Sequence, residues 1–77
     1  MTTTTISTTQ IRTLRTEAES AGDLRMAMVC VLAIGGTEAL EGAEDGTEAA
    51  ELLAEGRTQE WAHNQCARAI RDAQAQA

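Results

Sequence analysis

Residues Leu24–Ile34, LRMAMVCVLAI, decide the fold. As a helix this stretch is apolar on nearly every side, which marks an element packed at the centre of a structure. A buried strand over Met28–Ile34 is the competing reading, because a short apolar run satisfies either geometry. Punctuation favours the helix. Asp23 stands where an N-cap is needed, and Gly35-Gly36 supplies a stop.

Working outward toward the N-terminus, Ser7 and Gln10 have capping-box spacing. Ile11, Leu14, Ala18 and Ala21 then recur at intervals of three, four and three, giving one apolar stripe, and Gly22 closes it. Residues 1–6, MTTTTI, read as a flexible Thr-rich tail, leaving 7–77 as a single helical domain.

Toward the C-terminus, Thr37–Gly56 (TEALEGAEDGTEAAELLAEG) is cut by Gly42, Gly46 and Gly56. One or two turns are expected near Glu38–Glu44. A better helix is expected over about Thr47–Glu55, with Leu52 and Leu53 facing inward. Thr58 is placed to cap a last helix over about Gln59–Gln74. There Ala62, Cys66, Ala69, Ile70 and Ala73 form the inward stripe, and Trp61 anchors the first turn. The expected fold is all-α, a small bundle of four to five short helices with short connections. The sequence contains no internal repeat.

Size limits this bundle. A chain of 77 residues is one domain that buries only about 60% of its unfolded surface. Of its 33 hydrophobic residues 15 are Ala, so the core is thin and self-association is a plausible source of stability. Cys30 and Cys66 each lie in an apolar helical stretch and read as buried thiols, with a disulfide tying two helices as the alternative. No zinc or other metal site is expected, since there is no C-x-x-C and His63 is the only histidine. The longest apolar run, Met26–Ile34, falls short of the about 20 residues a membrane span needs. MTTTTI has no basic region of the kind that opens a signal peptide. A soluble, cytoplasmic protein is expected, in the host cytoplasm if phage-encoded.

The formal net charge is −6, which argues against direct binding to nucleic acid or to anionic membranes. Its distribution is uneven. Residues 1–37 are neutral and residues 61–77 carry +1, whereas residues 38–60 carry −7. The acids there are Glu38, Glu41, Glu44, Asp45, Glu48, Glu51, Glu55 and Glu60, against Arg57 alone. On a continuous helix Glu38, Glu41, Asp45, Glu48, Glu51 and Glu55 would share one face at about 5–6 Å steps, comparable to the spacing of phosphates along a nucleic acid strand. A solvated outer face is the bland reading of this pattern. A surface that mimics nucleic acid toward a basic protein groove is the functional one. AEDGTEAAE lacks the D-x-D-x-D-G order of a calcium loop.

Chemistry is otherwise sparse. His63 has no nucleophile paired with it in sequence, and neither phosphate-binding nor nucleophile-elbow motifs are present. No catalytic residue and no cofactor are assigned. Met26 and Met28 read as core, and Trp61 as a core anchor or an interface residue. The pairs Arg12/Arg15 and Arg68/Arg71 are spaced to meet the acidic segment of this chain or of a neighbour.

ISTTQIRTLRTEAESAGDLRMAMVCVLAIGG (Ile6–Gly36) resembles the opening of small uncharacterised proteins of bacteria and their phages. CARAIRDAQAQ (Cys66–Gln76) resembles their closing segment. Together they cover about half of the chain, and the acidic stretch lies between them. The shared residues are caps, stripe and stop, and the resemblance brings no catalytic residues. In size, charge and lack of chemistry the chain looks like anti-CRISPR inhibitors, by analogy. The functional expectation is a non-enzymatic phage-type inhibitor, with an anti-CRISPR as its specific form, that binds a basic, nucleic-acid-handling host protein or complex through the eight carboxylates. The alternative is a homo-oligomeric structural or accessory protein, a homodimer in its simplest form.

Overall fold

A computed structural model describes residues 6–76. In chain order they form α1 (Thr8–Ser20), α2 (Leu24–Gly35), a 3-10 turn (Thr37–Leu40), α3 (Glu48–Ala54) and α4 (Gln59–Ala75). No strand is present among the described residues, so the small all-α bundle expected from the sequence is what forms. The strand reading of Met28–Ile34 fails because α2 is helical throughout.

The helix starts follow local chemistry. Ser7 accepts a hydrogen bond from the Gln10 backbone N–H at 3.1 Å, and the Gln10 side chain accepts one from the Ser7 N–H at 2.8 Å, completing a capping box. Asp23 caps α2 through Met26 N–H, Thr47 caps α3 through Ala50 N–H, and Thr58 caps α4 through Trp61 N–H. Two stops share one hydrogen-bond pattern. At the end of α1, Gly22 N–H bonds to Glu19 and Asp23 N–H to Ala18; at the end of α3, Gly56 N–H bonds to Leu53 and Arg57 N–H to Leu52. In each case the next helix begins within a few residues.

The tail boundary needs correction. Residues 1–5 lie outside the described residues, but Ile6 is only 7% exposed and belongs to the core. It stands one residue before the Ser7 cap, and Ile11, four residues after the cap, is buried in the same cluster. Those are the positions of a hydrophobic staple, which fixes how the chain enters a helix.

One apolar cluster holds the molecule together. Leu32, Leu52, Cys30 and Cys66 are its largest fully buried side chains, joined by Ile6, Ile11, Val29, Ala33, Leu40 and Ala62. Helix α2 packs on α1, α3, α4 and the 3-10 turn, most extensively on α4 and α1, which is the central role its composition predicts. Leu53 and Trp61 pack at the margin of the cluster. The stripe on α4 is shorter than expected: Ala62 and Cys66 are buried, Ala69 and Ile70 half-buried, and Ala73 exposed. From Arg71 on, α4 is exposed.

The joint after α2 is tight. An added Cβ at Gly35 would sit 2.7 Å from Ala39 Cβ, so the 3-10 turn can fold onto the end of α2 only because residue 35 has no side chain. Gln59, at the start of α4, reaches back to the same place. Its Nε2 donates to the carbonyls of Ala33 and Ile34 at 3.1 and 3.3 Å, satisfying acceptors that the end of α2 leaves open.

Candidate functional site

The acidic segment does not form the continuous helical ladder that its spacing allows. Gly42 at φ +82° and Gly46 at φ +89° turn the chain twice between Leu40 and Thr47. Like charges at helical spacing also oppose a long helix there. The eight carboxylates therefore fall into distinct settings. Glu38 is exposed on the 3-10 turn, and Glu41 follows it in extended conformation. Glu44 and Asp45 are exposed in the loop before Thr47. Glu48 and Glu51 lie in the first turn of α3, where the helix N-terminus favours negative charge. Glu60 is exposed in the first turn of α4.

Glu55 is different. Arg25 on α2 holds it with two hydrogen bonds, Nη1 to Oε2 at 3.0 Å and Nη2 to Oε1 at 2.8 Å. Arg57 Nε adds a third at 3.0 Å. The Arg57 guanidinium also lies 4.4 Å from the centre of the Trp61 ring, a cation–π distance. The result is a chain of contacts, Arg25–Glu55–Arg57–Trp61, that ties α2, the end of α3 and the start of α4. Hydrogen bonds from Arg25 and then Arg57 pull the Glu55 carboxyl down to about 2. Its carboxylate is thus already satisfied within the fold. Among the eight acids it is the one in an ion pair, as judged over the described residues.

Glu48 shows the opposite behaviour. Hydrogen bonding with the Glu51 carboxyl, reinforced by desolvation and by the Glu51 charge, pushes Glu48 above its ordinary value. Seven carboxylates remain outside ion pairs, all exposed except the half-buried Glu48. What the segment presents is a loop-and-short-helix acidic surface, in place of a single helical face.

Other sequence candidates fall elsewhere. Arg12 and Arg15 sit on the exposed side of α1, where Arg15 pairs with Glu19 of its own helix at 3.7 Å instead of the acidic segment. His63 is half-buried on α4. Trp61 is half-buried at the core margin, with Arg57 over its ring, and packs against the core cluster. Among the described residues no three His, Cys, Asp or Glu side chains converge as a metal set, and no helix is long and apolar enough to cross a membrane.

Arg25 was not singled out by the sequence reading. Its signal is position: it is the only charged residue between Asp23 and Glu38, set in a run that is otherwise apolar. A lone charge at the edge of a core needs a partner from another element.

No protein-family model, curated protein or solved structure matches this chain.

Proposed function

We propose that the protein is a non-enzymatic inhibitor of phage type, of the anti-CRISPR kind, and that it docks into the basic groove of a nucleic-acid-handling host protein. The surface that docks comprises Glu38, Glu41, Glu44, Asp45, Glu48, Glu51 and Glu60. One observation carries the reading. The fold uses Glu55 for its own ion pairs and leaves the other seven carboxylates outside them, within a segment that holds more than the whole net charge. Mimicry in this reading is electrostatic, without a fixed phosphate-like repeat, because Gly42 and Gly46 divide the segment.

Charge of this kind speeds encounter with a basic groove and is screened over about 8 Å at physiological ionic strength. The test is capture of host proteins on the immobilised protein, followed by elution with duplex DNA at constant salt. Captured proteins are expected to leave in the DNA eluate. Proteins that resist DNA and salt, and leave only with denaturant, would sink the reading.

A second reading, a homo-oligomeric accessory protein, is favoured by an apolar groove between α1 and α4 lined by Leu14, Ala69, Ile70 and Ala73. Leu24, 60% exposed, is a further apolar surface. Light scattering at micromolar concentration discriminates: a strict monomer removes this reading.

A further inference from the structure

We infer that Cys30 and Cys66 form a reversible dithiol–disulfide pair, which a glutathione-class disulfide converts into a buried cross-link between α2 and α4. Both residues are 0% exposed and free, and their sulfurs stand 3.8 Å apart, with the Cys66 S–H directed at the Cys30 sulfur. A disulfide needs about 2.05 Å, so the sulfurs must approach by roughly 1.8 Å. The two helices that carry them are the most extensively packed pair in the molecule, so this separation is set by the fold itself.

The chemistry balances as two exchanges. One cysteine thiolate attacks a sulfur of the glutathione disulfide, forming a mixed disulfide and expelling one glutathione thiolate. The other cysteine thiolate then attacks the protein sulfur of that bond and expels the second. The protein loses two protons and two electrons, and one glutathione disulfide becomes two glutathiones. Burial makes the exchange wait on local opening of the α2–α4 contact and so controls its rate. The equilibrium depends instead on how closely the native fold holds the thiols together. Linkage makes this reciprocal: by whatever factor the fold favours the cross-link, the cross-link favours the fold.

The experiment equilibrates the full chain anaerobically across a series of glutathione to glutathione disulfide ratios, once in native buffer and once in concentrated guanidinium chloride. Acid quenching and intact mass then give the fraction that has lost two hydrogens. The equilibrium constant is expected to be larger in native buffer by about tenfold or more (about 1.4 kcal/mol per tenfold change). The oxidised protein is expected to melt higher and to return to the reduced Tm after reduction. An equal or smaller constant in native buffer overturns the inference, as does accumulation of glutathione adducts or covalent dimers in place of the intramolecular product. Because both arms read equilibria of the unmodified sequence, slow access to the buried thiols does not decide the outcome.

Discussion

Arg25 shows how one residue links the core to the charged surface. It enters at the start of the most apolar helix and finds its partner 30 residues later at Glu55. Because Arg25 and Arg57 lower the Glu55 pKa from 4.5 to about 2, the folded state holds this proton less tightly than the unfolded chain does. Its contribution to stability is therefore present above pH 4.5 and fades as pH falls toward 2. Glu48 has the opposite sign: its raised pKa favours the protonated native state, and that contribution is lost as pH rises through the raised value. Glu55→Gln is accordingly expected to lower Tm at neutral pH, with the gap to the parent protein closing between pH 4.5 and about 2. A gap as large at the acid end as at pH 7 would contradict the assignment. Eight acids of the segment compete for Arg25, and although Arg57 stands two residues from Glu55, nothing local shows that Arg25 reaches it. Its selection depends on where α3 ends relative to α2, which is tertiary information.

At the scale of elements, most of the fold was legible because it is written in short-range chemistry. Ser7, Asp23 and Thr58 cap as their spacing indicates, Thr47 caps the helix it was expected to open, and α2 is central as its composition demands. Thr58→Ala should cost about 1 kcal/mol by removing the acceptor for Trp61 N–H, measured by chemical denaturation. Gly35→Ala is a sharper test. An exposed helical Gly→Ala change ordinarily stabilises by about 1 kcal/mol. Here the new methyl meets Ala39 at 2.7 Å, so a net destabilisation of about 1–3 kcal/mol is expected; a gain in stability would mean that the 3-10 turn is not held against α2. What sequence spacing did not reveal follows from longer reach. Burial of Ile6, the return of Gln59 to the end of α2, and the exposure of α4 beyond Ile70 each require knowing which element lies alongside. The acidic ladder is a different case. Its shared face depended on a continuous helix, and Gly42 and Gly46, legible in the sequence as breaks, take positive φ and divide it.

For the whole molecule, a small core and a lopsided charge coexist because they occupy different residues. The cluster around Leu32, Leu52, Cys30 and Cys66 is the only buried apolar cluster among the described residues, and no buried polar or charged side chain interrupts it. Leu32→Ala should cost about 2–5 kcal/mol, a large fraction of the stability of so small a domain, and should appear as a fall in the denaturation midpoint. Removing the carboxylates of residues 38–60 other than Glu55 should scarcely affect folding, because among the described residues none of these seven is ion-paired within the fold. That separation between what folds the chain and what would bind a partner is the central claim. It is tested most directly by comparing two double reversals of equal charge, Glu41→Lys with Glu44→Lys and Glu17→Lys with Glu19→Lys. Each takes the formal net charge from −6 to −2, one inside the acidic segment and one on α1. The measurement is the amount of DNA-displaceable host protein each variant captures, once its helical content matches the parent. The account predicts that the first variant captures little and the second captures as much as the parent; equal capture by the two would contradict it.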